Sequence, residues 1–117
     1  MGAQDNQRMR RFNVPRHLDY TDEANADIDK IGRSYYENVI EPGVLEVAAL
    51  IDPSCSPCVC HVATASGWFR YKRFRIRVAF FVNGTYMCVT AVLMRDNDTY
   101  RIIHHRWNEW RKDKKRK

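Results

Sequence analysis

The chain has 117 residues, enough for one hydrophobic core and too few for two. Apolar residues make up 44% and aromatic ones 12%, which excludes general disorder even though 29% of residues are charged. Twenty Lys and Arg against fourteen Asp and Glu leave a net charge of +6, which favours anionic partners, and no apolar run approaches the roughly 18 residues of a membrane span.

Residues 1–20 carry Arg8, Arg10, Arg11 and Arg16, lack sustained periodicity and contain Pro15, so they read as a basic arm with a short extended piece near Arg11 to Val14. They have no apolar core of a secretion signal, so an intracellular location is expected, with secretion as the lesser alternative. Thr21 is a good N-cap, Asp22 and Glu23 suit the positive end of a helix dipole, and Ala24, Ile28, Ile31, Tyr35 and Val39 repeat at helical spacing. This predicts a helix over about 22–39. Gly32 within it either lets a neighbouring backbone approach closely or is a tolerated surface glycine.

Glu41-Pro42-Gly43 reads as the helix stop, followed by strands at Val44–Ile51, Cys58–Thr64 and Trp68–Val82, with turns at 52–57 and 65–67. Asn83-Gly84 suits the two positive-φ positions of a type I′ hairpin. Closing that hairpin with Val82 opposite Thr85 sets Phe80 against Met87, Val78 against Val89, Ile76 against Ala91 and Phe74 against Leu93 on one apolar face, which must be core. A second hairpin at Asp96-Asn97 pairs Met94 with Thr99 and carries this face through Tyr100, Ile102 and His104. The expected fold is α+β: one N-terminal helix packed on a curved antiparallel sheet of four to five strands. The domain spans 21–110, between the arm and a basic tail at 111–117.

The same register writes the opposite face in rows: Arg75, Val92, Arg101; Arg77, Thr90, Ile103; Ala79, Cys88, His105; Phe81, Tyr86, Trp107. Arg73 lies beyond, opposite Met94. Arg73, Arg75, Arg77, Arg101 and His105 beside Phe81, Tyr86 and Trp107 suit single-stranded nucleic acid, RNA ahead of DNA, because cations track phosphates while rings stack on bases. In this reading Arg111, Lys112, Lys114, Lys115, Arg116 and Lys117 add phosphate contacts, and the protein is a non-enzymatic binding or structural component of a nucleic-acid-containing assembly. An acidic protein partner is the alternative, since Arg, Tyr and Trp favour interfaces. The plainest alternative is a solvated outer face.

Cys55, Cys58, Cys60 and His61 lie in the run CSPCVCH, whose C-x-x-C could grip zinc from one side. A second pair is needed, and only Cys88, His104 and His105 could supply it. No metal or cofactor is therefore expected, and the cysteines read as small strand residues and free turn thiols. Asn83-Gly84-Thr85 and Asn97-Asp98-Thr99 match the glycosylation pattern but are also good turn chemistry. No nucleophile-and-base spacing, carboxylate pair or phosphate loop is evident. His104, facing the core, could act as a base in a pocket between helix and sheet, although such a residue is more often a hydrogen-bonded core histidine.

The order of one helix followed by antiparallel strands, with the stretch RFRIRVAFFVNGTYMCVTAVLM, resembles the paired central strands of cystatin-like and latexin-like domains. That resemblance implies the fold and an interaction or inhibitor module. The Gln-x-Val-x-Gly hairpin and the Pro-Trp turn that serve inhibition in cystatins are absent: the corresponding turns read IDPSCSPCVC and MRDNDTY. The closing TYRIIHHRW is similar to the last strand of NTF2-like domains, which implies a pocketed sheet and a small-ligand enzyme with His104 lining the cavity.

Overall fold

The computed structural model describes residues 16–50, 52–53, 56–62 and 68–116, except for the side chains of 111 and 113–116. Arg11 to Val14, Cys55 and Lys117 lie outside these. The described chain runs β1 (His17–Tyr20), α1 (Asp22–Ile31), α2 (Arg33–Tyr35), a π turn (Tyr36–Ile40), α3 (Glu41–Ala48), β2 (Val59–His61), β3 (Trp68–Arg73), β4 (Ile76–Asn83), β5 (Tyr86–Met94) and α4 (Thr99–Arg116). The sheet order is β1-β5-β4-β3-β2, with β1 parallel to β5 and the other pairs antiparallel.

The α+β class and a five-stranded sheet stand, but the sheet is mixed and not wholly antiparallel, and the helices are several and cover both of its faces. Thr21 caps α1 as expected, its hydroxyl accepting the Ala24 amide at 3.1 Å. The helix then breaks at Gly32, whose φ of 116° is open to glycine and strained for other residues. A Cβ there would meet only Tyr35 at 3.9 Å, so Gly32 serves the break and not a close approach. Beyond it the π turn re-phases the stripe, burying Tyr36 and leaving Tyr35 exposed. Glu41-Pro42-Gly43 starts a helix instead of stopping one, with Pro42 in the first turn, where its missing N–H costs nothing. Val44 to Ala48 is accordingly helical, not strand. Gly43 is required by packing, since a Cβ would overlap the Tyr71 hydroxyl.

Three further expectations are corrected. His17–Tyr20, read as part of the arm, is a strand beside Tyr86–Val89, anchored by Arg16, which donates to the carbonyls of Gly84 (2.9 Å), Ala48 (3.1 Å) and Leu50. The long strand at 68–82 is a hairpin, with Arg73 opposite Ile76 and Phe74-Arg75 as its two-residue loop. The segment after β5 is the helix α4, not a last strand. The Thr99 hydroxyl accepts from the Asp96 amide at 2.8 Å and donates to Met94 O at 2.9 Å, which turns the chain out of the sheet. Ile103, Trp107 and Trp110 then recur at the three- and four-residue steps of a buried helical face.

β4 and β5 pair as Asn83–Tyr86, Val82–Met87, Phe81–Cys88 and Phe80–Val89, then shift by one residue to Ala79–Ala91, Val78–Val92, Arg77–Leu93 and Ile76–Met94. The extra residue is Thr90, a β-bulge. Ile76, Val78, Phe80, Met87 and Val89 face α1–α3 as expected, but the bulge turns Ala91 and Leu93 to the opposite side. There they join Val62, Trp68, Ala79 and Ile103 in a second core beneath α4, with Phe81, Trp107 and Trp110 packed against it.

The outer edge of β5 beyond Val89, where β1 ends, is covered by side chains. Asp27 of α1 accepts from the Val92 amide at 3.0 Å and holds Arg106 of α4 through two contacts of 2.5 and 3.1 Å, while Arg106 donates to Thr90 O at 3.0 Å. The carboxylate stands where a neighbouring carbonyl would accept, and the guanidinium where a neighbouring amide would donate. The pair thus substitutes for the missing strand and fastens the helices of both faces to one edge.

Candidate partner-binding groove

At the end of the sheet away from Gly84, Ile31, Tyr35, Phe74, Ile76 and Met94 line an open groove of about 430 Å³, with Arg75 at its margin. Three of its large apolar side chains are exposed: Phe74 by 62%, Met94 by 51% and Tyr35 by 42%. Phe74 is set by the β3–β4 loop, where its φ of 53° lies in a region that L-residues other than Asn or Asp avoid. Arg73 lays its guanidinium over the Phe74 ring at 4.7 Å. Arg77 braces the loop from the α4 side, donating to Phe74 O at 2.9 Å and Ile76 O at 3.1 Å. Burial, then the charges of Arg95 and Arg70, hold Arg77 below its ordinary value. The Arg95 amide donates to Arg75 O at 2.7 Å, so the two residues adjoin.

The expected Arg-aromatic sheet face does not exist as a surface, because α4 lies on it. Phe81 packs against Trp68 and Trp110, and Trp107 is half-buried against the same core. Arg77 is buried, and Arg70 stacks on Tyr100 of α4 at 4.5 Å. Tyr86 is half-buried at the far end beside His17; burial, then its contact with Cys88, pushes its pKa up to about 12. Arg101 is exposed on α4 and pairs with Asp98 at 3.2 Å. Lys112 adjoins Glu109 at 3.6 Å, and the backbone of Arg111, Lys114, Lys115 and Arg116 continues α4. RNA docking through stacked Phe81, Tyr86 and Trp107 is therefore withdrawn. Arg73 and Arg75 are brought to the groove; among the described side chains, the other expected site residues are dispersed.

His105 lies elsewhere, in a cleft of about 320 Å³ lined with Thr21, Glu23, Thr90, Arg106, Glu109 and Trp110. Arg106 is committed there to Asp27 and Thr90. His104 stands half-buried on α4 and not on a core strand. Cys58 and Cys60 are exposed thiols and Cys88 is buried. Among the described residues no three His, Cys, Asp or Glu side chains gather as metal ligands, and no helix is long and apolar enough to cross a membrane.

The groove residues Ile31, Tyr35 and Met94 escape sequence reasoning. Tyr35 falls on the apolar stripe of an unbroken helix, and an unbulged strand puts Met94 on the face opposite the core, across from Arg73; the bulge brings it round to the side of Ile76. The one local signal is Phe74 itself, an aromatic residue set between Arg73 and Arg75.

No family model and no curated protein matches the chain. Two solved structures are similar to it. A chain of the RelB–RelE antitoxin–toxin complex from Methanococcus jannaschii is 14% identical, with 66% of this chain and 89% of that chain covered and a TM-score of 0.49. A chain of the toxin–antitoxin complex RelBE2 from Mycobacterium tuberculosis is 23% identical, with 70% and 93% covered and a TM-score of 0.47. These are neither cystatin-like nor NTF2-like proteins. With a parallel β1 and a C-terminal helix on the second face, both of those resemblances are overturned, together with the inhibitor and small-ligand enzyme readings they implied.

Proposed function

We propose that the protein works by holding another protein at the Phe74 groove, as a binding component without chemistry of its own. The observation that carries this reading is the gathering of Phe74, Met94 and Tyr35, all substantially exposed, around one groove. Leaving a Phe side chain in water forgoes roughly 1.5–3 kcal/mol of burial, and scattered exposure would need no explanation, whereas a clustered apolar patch marks an interaction site. Aromatic, Met and Arg side chains are also those enriched at protein interfaces. The reading rests on the groove and not on the likeness to solved complexes.

Photo-crosslinking tests it. Benzoylphenylalanine placed at position 74, in the cell that makes the protein, is expected to give a discrete protein adduct that the same probe at exposed Tyr100 does not. No adduct at 74, or identical adducts at both positions, would overturn the proposal.

A further inference from the structure

The groove has an apolar floor and an unbalanced rim. Among the described residues Arg73, laid on the Phe74 ring, and Arg75, at the groove's margin, form no ion pair. The acids nearest in sequence are committed elsewhere: Asp29 to Arg33 at 3.0 Å, Asp98 to Arg101 at 3.2 Å, and Asp96 to the Asp98 amide at 2.7 Å. Like charges gathered without counter-charges repel one another, and a partner's carboxylates would relieve that repulsion. Three outward-facing groups of the β5 edge are already taken, Thr90 O by Arg106, Val92 N by Asp27 and Met94 O by the Thr99 hydroxyl, so an added strand would find them occupied there. The occupant must engage through its side chains.

We infer that the groove takes an acidic amphipathic segment of a partner protein, with apolar side chains seated against Phe74, Met94, Tyr35 and Ile31 and with Asp or Glu reaching Arg73 and Arg75. This rests on the partner-binding reading and names the chemistry of its partner. The floor favours a peptide over single-stranded nucleic acid, which needs free rings for successive bases. Here Phe74 already carries Arg73 on its ring, Met94, Ile31 and Ile76 offer no face for stacking, and Tyr35 alone is too few rings for successive bases.

The test is selection from a displayed library of random 12-residue peptides on the full chain, with Phe74→Gly as the counter-selection. The expected pool combines apolar residues with Asp and Glu, binds Phe74→Gly at least about tenfold more weakly, and loses affinity as salt is raised. The double variant Arg73→Glu, Arg75→Glu should select a basic pool instead. A Phe74-dependent pool that is neutral or basic on the wild type overturns the acidic partner but leaves the groove reading intact. A pool indifferent to Phe74, or no pool at all, overturns both. If oligouridylate binds the groove more tightly than the selected peptides and displaces them, the peptide assignment is lost to a nucleic acid.

Discussion

At one end of β4 the chain turns through Gly84-Thr85 and at the other through Phe74-Arg75, and in both loops the first residue has positive φ, 60° and 53°. Positive φ at the first position alone is the type II′ pattern, which ordinarily selects glycine. Gly84 obeys that rule in open space, with nothing within 4 Å of where a Cβ would stand. Phe74 breaks the rule twice, by accepting backbone strain of about 1–3 kcal/mol and by leaving its ring in water. One turn is built for folding alone. The other gives up stability to present a side chain, and the groove beside it is where that presentation is used.

Several substitutions can break or sharpen this contrast. The largest effect should fall on neither tip but on the clasp that holds the frame. Asp27→Ala leaves Arg106 beside the Thr90 carbonyl without its carboxylate, and should cost about 3–5 kcal/mol in urea unfolding, while a loss below 1 kcal/mol would make the clasp ornamental. Next comes Gly84→Phe, which places at the plain tip the residue type found at the other. The space is open, so only backbone strain should register, about 1–2 kcal/mol in the same measurement, with peptide binding unchanged. Phe74→Gly is the reverse exchange and should stay within about 1 kcal/mol of wild type, because relief of strain offsets lost contacts and a looser unfolded chain.

The smallest effect is a pH dependence that belongs to the frame. Tyr36 donates to the Tyr20 hydroxyl (2.8 Å between oxygens), and Tyr20 donates to Glu41 at 2.7 Å, tying β1 to the π turn and α3. Burial above all, and for Tyr20 then the bonds to Tyr36 and Glu41, raises both phenols far above their ordinary 10.0. The folded state therefore keeps these protons when the unfolded chain releases them. Stability from this source is level below pH 10 and falls as pH rises above it, and Tyr20→Phe should flatten that fall when unfolding is measured from pH 9 to 11.

Much of the frame was legible in the residues. Thr21 with Asp22 and Glu23 announces α1, and the alternation of Ile76, Val78 and Phe80 marks the core side of β4 correctly. What escaped is what alternation cannot encode. The first hairpin turns through Gly84-Thr85 and not Asn83-Gly84, so Phe80 meets Val89 where Met87 was expected, two residues along with the facing kept; the bulge at Thr90 then adds one residue to β5 and reverses the facing of Ala91 and Leu93. The Phe74-Arg75 turn has neither Gly nor Asn to announce it, because its first residue is kept against local preference. The helix after Thr99 was readable from Ile103, Trp107 and Trp110, but the preceding Asp96-Asn97 invited a hairpin in its place. Reading α4 as a strand turned its buried face into an apparent Arg-aromatic surface, and the groove at the sheet end was reached only through Arg73 and Arg75.

The most direct measurement takes Phe74→Gly through urea unfolding and peptide titration side by side. The account predicts stability within about 1 kcal/mol of wild type together with affinity for the selected acidic peptides reduced at least about tenfold, or ~1.4 kcal/mol. A variant that loses 2 kcal/mol or more of stability, by the roughly 1.5–3 kcal/mol scale of a buried Phe, yet binds the peptides as before, would show that Phe74 serves the fold and not a partner.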